Sequence, residues 1–238
     1  MNAKKLLSLW GLKWNPFSPE LPSDALLVTA KIESFAWRAE QMVQEGGFAL
    51  ISGESGTGKS VALRVVAQRL SSLRDVVVGA VERPQSKSAD FYRELGDIFS
   101  VQLRPSNRWG GFRALRERWK AHVASTRIKP VLLVDEAQEM DPGVLSELRI
   151  LASSDFDSTS LLTVILSGDG RLLELLRHVD LVPPGTRIRT RLHTEPASRE
   201  DLLAHGMARE VEQLDEKLYL EVYQPSRPLT TSKKKARV

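Results

Sequence analysis

Gly53-Glu54-Ser55-Gly56-Thr57-Gly58-Lys59-Ser60 has the spacing G-x-x-x-x-G-K-[ST], and that spacing has a definite chemistry. A triphosphate needs N–H donors converging on its oxygens, one mobile cation, and an oxygen ligand for its magnesium. Gly53, Gly56 and Gly58 free the backbone for conformations closed to residues with a Cβ, so that successive amides, including those of Glu54, Ser55 and Thr57, turn inward. Lys59 is placed to reach the β- and γ-phosphates, and Ser60 to ligate magnesium. The helix opening there, with Val61 in its first turn, turns its positive end toward the anion. The ligand this predicts is ATP with Mg2+.

Hydrolysis needs carboxylates near the same sheet edge. Pro130-Val131-Leu132-Leu133-Val134-Asp135-Glu136-Ala137-Gln138 supplies an apolar strand that ends in paired acids. Asp135 is expected in the magnesium shell. Glu136 is expected to orient the attacking water or accept its proton, which separates hydrolysis from binding alone. An acidic pair after a strand is ordinary loop chemistry by itself; coupled to the glycine-rich loop it becomes a second half-site.

The elements that must position these residues follow from the apolar pattern. Gly47–Ser52 is a short apolar run suited to a buried parallel strand, and Val61, Ala62, Val65, Val66 and Leu70 follow helical spacing after the loop. Glu33 to Glu45 reads as a helix broken by Gly46-Gly47, Val76 to Val81 as a second strand, Ser88 to Phe99 as a helix, and the stretch after Trp109-Gly110-Gly111 to about Thr126 as another. Asp141-Pro142 reads as an N-cap and first position of a helix reaching about Ala152, and Leu161 to Leu166 as a strand that ends in Ser167-Gly168-Asp169. Ser167 and Asp169 are both candidates to sense the γ-phosphate, and a plain turn explains them equally well. Arg187, Arg189 and Arg191 alternate before Leu192, which in an extended segment places them on one side. They suit either delivery of an arginine to a neighbour's γ-phosphate or a basic edge strand that discourages aggregation.

The fold class predicted is α/β, a three-layer αβα sandwich around a parallel sheet. Residues 1–32, rich in Trp and Pro, read as an irregular flap, 33–197 as the nucleotide-binding core, 198–222 as a short helical remnant, and 223–238 as a basic disordered tail. The 238 residues contain no cysteine, so disulfides and thiolate metal sites are excluded, and the four histidines lack ligand spacing. No apolar run approaches a membrane span, which predicts a cytoplasmic protein. A net charge of +4 permits contact with nucleic acid, and the helix at 111–126 carries Arg113, Arg116, Arg118 and Lys120 beside aromatics.

Trp10-Gly11-Leu12, Asn15-Pro16-Phe17, Gly47-Phe48 leading into the loop, and Val134-Asp135-Glu136-Ala137-Gln138 together resemble the ExeA-type branch of the AAA+ ATPases. That branch is similar to transposition helper ATPases of the TniB, TnsC and IstB kind. The resemblance covers residues 6 to 210 or so. It implies a P-loop core with a parallel five-stranded sheet, homo-oligomeric rings or filaments, and catalysis at subunit boundaries. By the same resemblance, Arg187 corresponds to the arginine before the last core strand that approaches a neighbour's nucleotide. Secretion members carry a membrane span and a cell-wall-binding region, neither of which is expected of these residues, and the family's helical lid is expected to be truncated. The expectation is therefore a DNA-associated helper that recruits or stimulates a transposase on double-stranded DNA. The alternatives are an ATPase for assembly of a secretion or envelope complex, and a nucleotide-binding fragment without turnover.

Overall fold

A computed structural model describes residues 21–22, 25–103, 111–154, 159–177, 187–196 and 198. All of these except Ser198 fall in one compact unit, Pro19–Pro196. Helix α1 (Ala30–Glu45) begins three residues earlier than its pattern predicts, because Thr29 caps it by accepting a hydrogen bond from the Ile32 amide. Residues 30–32, assigned to the flap, thus belong to the core. Ile32, Phe35, Ala36, Ala39, Met42 and Val43 form the buried stripe of α1, at the three- and four-residue steps of a helix lying on a sheet.

Strand β1 (Gly47–Ser52) leads through the glycine-rich loop into α2 (Lys59–Ser71), followed by β2 (Val76–Val81), α3 (Ser88–Ile98), α4 (Gly111–Thr126) and β3 (Lys129–Val134). A 3₁₀ turn at Ala137–Glu139 precedes α5 (Pro142–Leu151), which Asp141 caps by accepting from the Gly143 amide. The two-residue strands β4 (Ser153–Ser154) and β5 (Thr159–Ser160) pair antiparallel. Next come β6 (Thr163–Gly168), α6 (Gly170–Arg177) and β7 (Ile188–His193). The main sheet has five strands in the order β2-β3-β6-β1-β7, every pairing parallel. Parallel strands need crossover helices on both faces, which is why the central strands are continuously apolar.

Alternate residues of each strand serve opposite layers. Ala49, Ile51, Val131, Leu133, Ile165 and Leu192 face α1 and α2. On the other face, Phe48, Leu50, Leu132, Val134, Val164 and Leu166 join the buried residues of α3, α4, α5 and α6, with Trp119 and Tyr92 fully enclosed. This is the αβα sandwich expected. Burying each of these large side chains is worth about 1.5–3 kcal/mol.

Two local expectations change. The strand expected at Leu161–Leu166 runs instead from Thr163 to Gly168, because its neighbours fix the ladder: Gly47 and Val131 both stand opposite Thr163. Leu161 and Leu162 are buried but lie outside the ladder, the Leu161 amide bonding to Ala152 O at 2.9 Å. Helix α6 has no counterpart among the expected elements. The helix expected from Ser198, the lid remnant and the basic tail lie outside the described residues, as do Phe17 and the rest of residues 1–20. Among the described residues no helix is long and apolar enough to cross a membrane.

Candidate nucleotide site

Register brings the chemistry to one sheet edge. Ser52 stands opposite both Gly168 and His193, and Val134 opposite Leu166. The loops leaving β1, β3, β6 and β7 therefore share the C-terminal edge of the sheet, where ligands of open α/β sheets bind.

The glycine-rich loop fills the turn between β1 and α2. Gly56 and Gly58 have φ of +81° and +91°, and a Cβ on either would meet open space, so backbone conformation selects glycine there. Gly53 is glycine for a different reason, which corrects the expectation that all three free the backbone. Its φ is not left-handed, but a Cβ would come within 2.2 Å of Thr194 Oγ1 and 2.5 Å of Thr194 O. Thr194, buried just past β7, also places its hydroxyl 2.7 Å from that of Thr57, while Thr57 Oγ1 donates to Glu54 O at 2.8 Å. The loop is thus clamped from the neighbouring edge strand β7.

Lys59 opens α2 and is buried, with Nζ donating to Glu54 O at 2.9 Å, inside the loop's curve. Gly58 offers the helix no side-chain cap, so no side chain competes with an anion for the amides at its positive end. Glu54 and Ser55 are exposed on the loop, and Val61 is half-buried in the first turn.

Asp135 lies at the centre of the constellation. Its Oδ2 accepts from Ser60 Oγ at 2.7 Å, and its Oδ1 accepts from Ser167 Oγ at 2.8 Å and from the Glu136 amide at 3.0 Å. Residues of α2 and β6 are therefore joined through the carboxylate that follows β3. Glu136 is exposed and adopts a left-handed φ of +50°, uncommon for a residue with a Cβ, so its side chain departs from the path of Asp135. Its carboxylate accepts from Gln138 Nε2.

Of the two residues weighed as phosphate sensors, Ser167 is fully buried against Asp135. Asp169 is engaged elsewhere. It accepts from the Arg171 amide at 2.9 Å at the start of α6, and its Oδ2 lies 2.9 Å from Arg171 Nη2. Burial works to raise the Asp169 carboxyl, but the hydrogen bonds from Arg171, with the charges of Arg171 and Lys59, hold it below the ordinary carboxylate value. Thr194 and Gln138 were given no role by the sequence; only the Asp-Glu-Ala-Gln pattern drew attention to Gln138.

Arg187 lies at the opposite end of β7 from the loop, half-buried, donating to Arg149 O at 3.3 Å at the end of α5. The three arginines do not form a one-sided row. The β1–β7 register shifts between Phe48 and Ala49, leaving Arg189 as a bulge residue between the paired Ile188 and Thr190. Arg189 pairs with Glu45 of α1 at 2.7 Å, on the other face of the sheet from α5.

The donors fit a magnesium nucleotide. Among the described residues no cluster of three or more His, Cys, Asp or Glu could cage a metal. One carboxylate beside one hydroxyl suits a hard cation that takes its remaining ligands from phosphates and water. A cavity of about 290 Å³, lined by Val43, Arg127, Lys129, Ser160 and Leu162 among others, lies at the opposite sheet edge and plays no part here.

Comparison with known proteins identifies the family. The sequence matches the family described as AAA domain over residues 41–176, more than half the chain. It is 34% identical over 164 residues to General secretion pathway protein A of Aeromonas hydrophila, covering 67% of this chain and 29% of that protein. Among solved structures, Cdc6p from Pyrobaculum aerophilum aligns with a TM-score of 0.59 at 16% identity, over 83% of this chain and 53% of that one. The ORC2 protein of Aeropyrum pernix, in ADPNP and ADP complexes, aligns with a TM-score of 0.57 at 15% identity, over 86% and 55%. The chain spans under a third of the secretion protein and about half of each structural neighbour. It belongs to the AAA domain family of P-loop ATPases.

Proposed function

From this membership we propose that the protein is a magnesium-dependent ATPase that works as a homo-oligomer. The observation that carries the reading is the single carboxylate of Asp135 held between Ser60 of the glycine-rich loop and Ser167 of β6, at 2.7 and 2.8 Å. When bound, magnesium ATP supplies a phosphoanhydride whose γ-phosphoryl group can pass to water. The amides of residues 53–60 and the Lys59 ammonium bind the phosphate oxygens. Ser60 and Asp135 provide oxygen ligands on the metal side, and Ser167 fixes the carboxylate rotamer. Glu136, turned away from Asp135 by its left-handed backbone, orients the water or accepts its proton. Arg187 stands far from the loop of its own subunit, so it serves only in trans, approaching a neighbour's γ-phosphate.

Glu136→Gln tests the assignment, since an amide keeps the shape of the carboxylate but takes no proton. Turnover should fall roughly hundredfold or more while ATP affinity stays within about twofold. Unchanged turnover would remove Glu136 from the mechanism.

The identity to General secretion pathway protein A supports an ATPase energising assembly of a secretion or envelope complex. The second reading, a cytoplasmic helper that recruits or stimulates a transposase on double-stranded DNA, is supported by the net charge of +4 and by exposed basic residues such as Arg113, Arg118 and Arg191. Duplex DNA separates the two. Stimulation of hydrolysis that declines steeply with salt favours the helper, and a rate indifferent to DNA at low salt favours the envelope role.

A further inference from the structure

We propose that Gln138 is a positioning residue that ties the Glu136 carboxylate to the junction of β6 and α6, so that the strand end carrying Ser167 and the water-handling carboxylate move as one body. The proposal rests on the ATPase reading above and deepens it.

Gln138 makes two bonds of opposite sense. Its Nε2 donates to Glu136 Oε2, and its Oε1 accepts from the Asp169 amide at 3.3 Å. Chemistry fixes this orientation: a flipped amide would set its carbonyl against a carboxylate and its NH2 against an N–H donor, losing both bonds. The 3₁₀ turn carrying Gln138 is anchored on both sides by the buried Ala137 and Met140, and the Met140 amide bonds to Ala137 O at 3.2 Å. The opposing backbone is shaped to admit the side chain. A Cβ on Gly168, the last residue of β6, would come 2.5 Å from Gln138 Oε1, so glycine at that strand end makes room for the amide. Glu136 is exposed on a left-handed backbone, and Gln138 supplies the one hydrogen bond recorded to its carboxylate among the described residues. Arg171 does not compete for that carboxylate, because it pairs with Asp169 and, at 3.1 Å, with Glu139.

Gln138→Met removes both bonds at nearly constant volume; Gln138→Glu keeps an acceptor toward Asp169 and loses the donor toward Glu136. In both variants kcat should fall roughly tenfold at an ATP dissociation constant within about twofold of wild type. In a Glu136→Gln background, Gln138→Met should cost nothing further, since two residues acting through one group are not additive. A readout independent of turnover is hydrogen exchange at the Asp169 amide in nucleotide-free protein, which should quicken in Gln138→Met and stay near wild type in Gln138→Glu. Wild-type kcat in Gln138→Met, or an equal loss with and without Glu136, overturns the proposal while leaving the ATPase reading intact. Full activity in Glu136→Gln alone overturns that reading instead.

Discussion

Replacing Ser167 with alanine isolates the contact on which the metal side of the site depends. Ser167 is fully buried within β6, and its lateral partner on β1, Ile51, is also fully buried, so nothing flows in to replace the lost hydroxyl. A hydrogen bond to a charged acceptor is worth about 1.5–3 kcal/mol. Asp135 keeps its bonds from Ser60 and the Glu136 amide, so the lower end applies. A cost of about 1.5 kcal/mol is close to tenfold in an equilibrium constant. In a chain of this size it corresponds to about 3 to 6 °C in melting temperature. Titrating magnesium into an ATPase assay should therefore show half-activation shifted upward about tenfold in Ser167→Ala, with kcat at saturating metal reduced far less. Unchanged magnesium activation and unchanged melting would show that Ser167 does not hold Asp135. Loss of kcat at normal magnesium affinity would instead place Ser167 on the γ-phosphate.

Thr194→Val keeps the shape of a buried residue but deletes its hydroxyl's contact with Thr57 Oγ1 and its hydrogen bond to Ser52 O at 3.2 Å. Both former partners retain another bond, so stability should fall by only about 0.5–1.5 kcal/mol in urea unfolding, while ATP binding weakens measurably. Burial, and then the hydrogen bond to Glu147 at 2.8 Å, hold the Tyr92 phenol well above its ordinary value. A raised folded pKa gives stability that is whole below the unfolded value and is lost as pH rises. Unfolding free energy should decline by up to about 1.4 kcal/mol per pH unit above roughly pH 10, and Tyr92→Phe should flatten that limb. Arg187→Ala should cut turnover about a thousandfold, and mixing it with Glu136→Gln protein should restore activity at interfaces that pair one intact residue from each variant. No recovery on mixing would remove Arg187 from the neighbour's site.

The parts of this fold that were legible in the sequence are those decided by neighbouring residues. The strand–loop–helix of residues 47–71 shows in an apolar run, a glycine spacing and a helical repeat, each local. Asp141-Pro142 announces a helix start by the same logic. What escaped was set by partners distant in sequence. Ser167 was taken as lying past its strand, yet Gly47 and Val131 begin the ladder at Thr163 and so draw Ser167 inside it. Thr194 meets Thr57 across 137 positions, and no periodicity encodes that pair. The arginine row failed on a single bulge at Arg189, which no alternation pattern reveals. Helix α6 buries only Leu172 and Leu176 over eight residues, too short a repeat to stand out from loop.

The most direct test is calorimetric titration of ATP into the purified chain, with and without magnesium, alongside Lys59→Ala. Magnesium-enhanced binding at about one nucleotide per chain, weakened at least tenfold in the variant, is the expected result. Equal heats from wild type and Lys59→Ala, or no binding with magnesium present, would contradict the assignment of residues 53–60 and Asp135 to a shared nucleotide site.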